Sequence, residues 1–395
     1  MRAPKLTFWK VVLGIVLLAG AYATFLRFGR GLGASTNLSD AFPWGIWIGF
    51  DVLCGVMLAA GGFTLTAAVY IFNLKDFKPI ARPTILTAFL GYLLVCIALL
   101  FDLGRGYRIW HPLVMWNDRS VMFEVAWCVT LYTTVLALEF SAVIFEKLRM
   151  HRAAKIQHAI SIPLVILGVI LSTLHQSSLG SLYLIVPGKL YALWYSPLLP
   201  VFFFLSSICV GLAMTIFESH MSARAFGKHL ELDLLARLGR VLLVLLIVYT
   251  LLRFEDLYHR GALALLAHPT YEGRLFLLEV TLGSLLPIAL LLFRRVRQSA
   301  TGLYLSAVFV VLGFVTNRLN VSITGMERAA GVHYFPRWTE IAITASIVAV
   351  GFAAFGLAAK YLPIFSASEP ESKPPHIQEA VPADTTAPEL THAGP

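Results

Sequence analysis

Apolar residues in this chain neither alternate nor recur on one face; they run on. SIPLVILGVI (161–170) is typical, and similar runs return along almost the whole length. About 20 such residues cross a bilayer core of about 30 Å. Ten runs meet that requirement, at roughly 8–26, 43–72, 84–103, 121–146, 154–176, 193–217, 238–258, 273–293, 301–319 and 338–360. None shows the period-two alternation of a membrane barrel strand. The pattern predicts an all-α polytopic membrane protein. The first span follows Arg2 and Lys5 and contains Ala21-Tyr-Ala23, which imitates a signal-peptide cleavage site; it reads as an uncleaved anchor. After about Ser366 the chain is rich in Pro, Glu, Thr and Ala with no apolar period, the composition of a disordered tail.

Two regions repeat. VILGVILSTLHQSSLG (165–180) aligns with VVLGFVTNRLNVSITG (310–325), pairing Gly168 with Gly313, Ser177 with Ser322, and His175 with Asn320. Upstream, MFEV (122–125) aligns with LLEV (277–280), pairing Glu124 with Glu279, and LGYLLV (90–95) with LGRVLLV (238–244). The spacing implies four spans per copy. An even number gives both copies the same membrane orientation, so the repeat is parallel. The expected organisation is an anchor helix and loop (1–42), a first four-helix bundle (43–192), a second (193–325), a last helix (326–365) and the tail (366–395).

Lys and Arg set the orientation. Nineteen of the 31 fall on the side of the N-terminus, and positive-inside logic then places both termini in the cytoplasm. Composition narrows the function classes. The chain is 58% hydrophobic and 13% charged, against about a quarter charged in soluble domains, which excludes most water-soluble enzyme readings. The net charge of +9 reflects loop asymmetry rather than a nucleic-acid partner. Cys54, Cys96, Cys128 and Cys209 all lie in apolar runs without a CxxC, so they read as small buried hydrophobes, not as zinc or iron–sulfur ligands.

Polar groups inside spans need a reason, because an ionisable side chain in a bilayer is costly. Asp51, in FPWGIWIGFD, lies about 12 Å into span 2. Glu124 and Glu139 on span 4 are about 22 Å apart along the axis and share one side of it. Glu139 is flanked by VLAL and FSAV and has no nearby water. Glu218 ends span 6, where an interfacial reading stands beside a functional one. Tyr92 either relays a proton or packs. His175 and Gln176 close span 5 as a polar pocket or as a capped helix end, and Arg105 follows span 3. A bis-histidine haem needs pairs of facing His, and only His175 and His158 fall within spans, so neither haem nor an iron–sulfur cluster is expected in this chain.

Several stretches resemble one family: FPWGIWIGFDVLCGVMLAAGG, LTAFLGY after Arg82-Pro83, SVMFEVAWCVTLYTTVLALEF, LHQSSLGSL, LWYSPLLPVFF and YFPRW. They are similar to NrfD-like (polysulfide reductase) membrane subunits, and within these to the branch serving type 2 nickel–iron hydrogenases, over residues 27–364. The resemblance implies two four-helix bundles plus flanking helices and a haem-free subunit that binds a quinone, usually menaquinone. It also implies a periplasmic ferredoxin-like iron–sulfur partner joined to a hydrogenase or molybdoenzyme catalytic subunit. On that reading His175, Glu124, Asp51, Arg105 and Gln176 are the candidate quinone pocket, and Arg82, Glu218, Tyr92 and Glu139 the candidate proton path. The catalytic metal centres then lie on partner subunits. A proton-coupled transporter is the competing class, since repeats and intramembrane carboxylates suit it too.

Overall fold

In the computed structural model, described for residues 8–186, 188–227, 230–365 and 394, the chain is helical throughout its spans. Among the described residues, ten helices are long and apolar enough to cross a membrane: α1 (Phe8–Arg30), α2 (Trp47–Ile71), α3 (Lys75–Asp102), α4 (Val121–Lys147), α5 (His151–Ser181), α6 (Leu199–Phe226), α7 (Leu232–His259), α8 (Tyr271–Leu292), α9 (Ala300–Ala330) and α10 (Trp338–Tyr361). The expected tail and the flanking Arg2 and Lys5 lie outside the described residues. Only helices satisfy every backbone group within one segment in lipid, which is why continuous hydropathy locates them. Polar caps set several starts: Ser120, Thr270 and Ser299 accept from the backbone N–H groups of Phe123, Gly273 and Gly302 at 3.1–3.3 Å. Gly227, at φ 61°, ends α6 in the left-handed conformation.

Helices α2, α3, α4 and α5 pack as one ring, and α6, α7, α8 and α9 as a second; α2 and α5 lean on α6, and α2 also touches α9. The pair α1–α10 covers α3 and the first half of α2. Accordingly α2 and α6 are the most enclosed helices, and α1 and α10 the least. Lipid tails are as apolar as Leu, so helices in a membrane associate through close packing rather than water exclusion. Small residues supply it here. A Cβ on Gly211 of α6 would meet the backbone of Ala60 and Gly61 of α2 at 2.8–2.9 Å. Gly283 of α8 and Gly313 of α9 meet in the same way.

Helices α1 and α10 begin and end at one face, here the terminal face. Contacts between helix ends fix the alternation. Arg82 at the start of α3 pairs with Glu146 at the end of α4 (3.0 Å) and donates to Pro363 O (3.3 Å). On the opposite face Arg27, ending α1, donates to Phe101 O and Leu103 O. There Glu340 joins α10 to the α1–α2 loop, accepting from Asn37 N (2.9 Å), Arg337 N (2.8 Å) and Tyr334 Oη (2.5 Å). Burial, together with that bond, pushes the Tyr334 hydroxyl above its ordinary range, so it stays a donor.

Three helices are irregular. Trp47–Cys54 of α2, Thr281–Leu285 of α8 and Asn320–Thr324 of α9 are π-helical, a geometry frequent at functional sites. In α2 the chain also breaks at Ala59–Ala60, where Ala60 N donates to Met57 O instead of Val56 O. Several helix ends lie outside the expected bounds, among them two polar ends: α5 runs on to Ser181 and α9 to Ala330. Their polar residues face the bundle interior, so polarity there does not stop the helix.

Candidate functional site

The first ring encloses a string of polar side chains. Tyr92 of α3, Tyr132 of α4, and Ser172, His175 and Gln176 of α5 are each at most 1% exposed. Among the described residues, Tyr92 Oη, Tyr132 Oη, Ser172 Oγ, both ring nitrogens of His175 and Gln176 Oε1 have no hydrogen-bond partner. Their rings crowd together: Tyr92 lies 4.7 Å from Tyr132 and 5.7 Å from His175 between centroids. Ser172 stands beside both tyrosine hydroxyls without bonding geometry to either. An unsatisfied buried polar group costs about 1–3 kcal/mol, and clusters of this kind are where ordered water sits.

The string has two carboxylate ends. Gly168 leaves a gap into which Glu139 and Tyr132 project; Glu139 Oε1 and Tyr132 Cε2 each stand 3.6 Å from where its Cβ would lie. Toward the opposite face, Ser178 Oγ donates to Glu124 Oε1 at 2.5 Å. Glu124 is on the exposed surface of the first turn of α4. Gln176 Nε2 reaches across to Val56 O at 3.1 Å, the carbonyl freed by the break in α2.

A second locus lies outside this ring. A cleft of about 460 Å³ runs between α2, α3, α6 and α10, walled by Leu58, Leu90, Leu94, Phe217, Phe352 and Phe355 among others. Two carboxylates reach it, Asp51 and Glu218. Asp51 is 6% exposed, on the π-helical part of α2, and accepts from Thr344 Oγ1 of α10 at 2.7 Å. Both carboxylate oxygens of Glu218 are buried without a partner among the described residues, with Thr87 alongside. Helices α2 and α3 separate cleft from string, since Gly91 and Val95 face the cleft while Tyr92 points into the ring.

The second ring holds an ionic cluster instead. Glu279 of α8 is 2% exposed and ion-paired to Arg253 of α7. It also accepts from Asn317 (3.1 Å), Asn320 (2.6 Å) and Trp194 (3.0 Å). The aligned pairs of the repeat therefore diverge in use. Glu279 is buried where Glu124 is exposed, and Asn320 is bonded where His175 is not.

Of the five expected pocket residues, only Asp51 lines the cleft. His175 and Gln176 belong to the string, Glu124 ends it, and Arg105 is exposed in the loop after α3. Of the expected path, Tyr92 and Glu139 belong to the string, Glu218 to the cleft, and Arg82 to the terminal-face ion pair. Tyr132 and Arg253 escape the sequence reading. Tyr132 had a signal, being two helical turns from Glu124 through Cys128 on one face. Arg253 had one too, as a basic residue inside a predicted span. Thr344 had none, since nothing in its apolar surroundings marks it.

Comparison with known proteins places the whole arrangement. Residues 34–330 match the family model described as polysulphide reductase, NrfD. The protein named as the probable Ni/Fe-hydrogenase 2 b-type cytochrome subunit of Escherichia coli is 35% identical over 340 residues, 85% of this chain and 86% of its own. The integral membrane subunit of menaquinone reductase from Nitratidesulfovibrio vulgaris is 27% identical over 91% of this chain and 92% of its own. A selenate reductase subunit from Mesobacillus selenatarsenatis is 24% identical over 90% of this chain and 93% of its own. A polytopic helical chain, matched to the family model along both rings and to relatives nearly end to end, belongs to the NrfD family of membrane subunits.

Proposed function

We propose that this chain is the quinone-reactive membrane subunit of a respiratory oxidoreductase. It passes electrons from a [NiFe] hydrogenase, through a ferredoxin-like iron–sulfur subunit, to menaquinone. The similarity to the Escherichia coli hydrogenase subunit favours that partner over the molybdoenzymes, and the menaquinone reductase relative favours the acceptor. The partner meets the opposite face, taken as periplasmic. There the loop after α3 exposes Tyr107, Trp110, Val114, Met115 and Trp116 and is held to α4 by Trp127 Nε1 donating to Pro112 O (2.8 Å). Exposed apolar patches of this kind mark interaction surfaces. Membership of the family favours this reading over the transporter.

The observation that carries the proposal is the cleft. Its size and apolar lining with few polar groups are those of a small-molecule site, and its lining residues Met221, Phe226 and Phe352 are exposed on the apolar surface that a lipid-dissolved quinone would meet. Reduction to the quinol adds two electrons and two protons to the ring oxygens, so a proton donor must stand beside the head group. Asp51, held by Thr344, is that donor. Glu218, in the cleft with Asp51, can pass protons to it from the terminal face, taken as cytoplasmic; the string in the first ring, from Glu139 through Tyr132, Tyr92 and His175 to Glu124, is a separate proton path, divided from the cleft by α2 and α3. Arg82 and Glu218 stand at the entrance of the string and at the inner end of the cleft. The residues present do not fit a bis-histidine haem. Among the described residues His175 is the one fully buried histidine, and its ring faces Tyr92.

Asp51→Ala removes the donor and is expected to weaken binding of a quinone analogue by about tenfold, the loss of roughly 1.4 kcal/mol. Fluorescence-quench titration of the purified protein measures it. Unchanged affinity moves the quinone out of the cleft.

A further inference from the structure

Among the described residues, the interior of the second ring contains one more positive charge than it balances. Glu279 is committed to Arg253, Asn317, Asn320 and Trp194. Asp256 is committed to Arg260 (2.7 Å) and Ser196 (2.9 Å). Arg318 is left with neutral partners only. It donates to Asn317 Oδ1 (3.0 Å), Phe203 O (3.2 Å) and Ser206 Oγ (2.7 Å), and its guanidinium lies 3.6 Å from the centre of the Phe203 ring. At 1% exposure it is among the most deeply buried large side chains of the molecule. The nearby Tyr183 hydroxyl supplies no compensation, because burial raises its proton affinity and keeps it neutral.

A buried charge without a counter-charge costs several kcal/mol. Against Arg318 lies a cavity of about 20 Å³, lined also by Arg253, Asn317, Tyr249, Asp256 and Arg260. A space of roughly 10–15 Å³ by this measure holds one water-sized body, so the cavity has room for a single small occupant and no more. Three guanidinium groups and two carboxylates border it or pair with its lining, an excess of one positive charge. Asp256 is the acid that borders it directly, and Arg260 holds that carboxylate in an ion pair. We propose that this cavity is an anion site, taking one monovalent, chloride-sized ion as the counter-charge of Arg318. The site is independent of the quinone reading, since it lies in the other ring and uses none of the cleft residues.

Bromide is the probe. The purified complex is held in gluconate buffer at fixed ionic strength and titrated with bromide while its thermal unfolding midpoint is followed. A saturable rise is expected in the wild type, its loss in Arg318→Gln, and a weakened rise in Arg318→Lys. Anomalous scattering from bromide-grown crystals of the wild type is expected to place one peak between Arg318 and Arg253. That measurement stands even where Arg318→Gln does not fold. An empty or water-filled cavity at saturating bromide overturns the proposal, as does a bromide response that Arg318→Gln retains.

Discussion

The two rings are built from matched stretches of sequence, yet they handle buried polarity in opposite ways. In α6–α9 the carboxylate of Glu279 has four donors around it, and its partners tie three helices together. In α2–α5 the corresponding depth holds two tyrosines, a serine and a histidine whose polar atoms have no partner among the described residues. A fully satisfied network fixes one arrangement of its helices; a partly satisfied one is held for some other reason. The difference teaches that similar stretches can hold either a satisfied network or partnerless polar groups at the same place in a ring. The second ring is cross-braced through Glu279, and the first holds polar groups that no bond among the described residues fixes.

Substitutions can break or sharpen this contrast. The largest effect is expected in the second ring. Glu279→Ala strands the Arg253 charge and should destabilise the protein by about 3–5 kcal/mol, read as denaturant unfolding in detergent; wild-type stability there would remove the claim that the cluster is structural. In the first ring Glu139→Gln should slow proton transfer across the membrane during quinone reduction in liposomes by about tenfold or more, as expected for loss of a proton-transfer group, read as a lower potential, with analogue binding unchanged. A wild-type potential would exclude Glu139 from proton transfer. His175→Phe should leave stability within about 1 kcal/mol of wild type or raise it, because an apolar replacement of a partnerless group loses no bond; a loss as large as that of Glu279→Ala would show a hidden partner and erase the contrast. Arg105→Ala, on an exposed loop, should change stability by no more than about 0.5 kcal/mol, the baseline for the other three.

Much of the fold was legible in the sequence. Hydropathy located all ten spans, because length and apolar continuity are what a bilayer demands of a helix. The repeat could be read as two groups of four for a similar reason: it is carried by short runs of packing residues. Helix ends were less legible, as at Ser181 and Ala330, because an inward-facing polar residue looks the same as a helix terminus in one dimension. The site was legible only in pieces. Asp51, Glu139, His175 and Glu218 stand out as polar groups in apolar company, but which of them share a space depends on helix rotation. Asp51 and Glu218 come from different rings and meet at a cleft closed by α10. Nor does composition reveal π-helical turns, such as the one that turns Asp51 toward Thr344.

The close seam at Gly61 and Gly211 has a consequence for how work can be done across this membrane. With backbone against backbone and no side chain between them to repack, the rings have no hinge or sliding surface at that crossing. Alternating access depends on one half tilting against the other, and this crossing opposes such tilting. On the proposed function, energy would then be conserved by charges moving within a fixed frame: electrons delivered from one side, protons drawn from the other. It would act as a stationary conductor rather than a rocking machine.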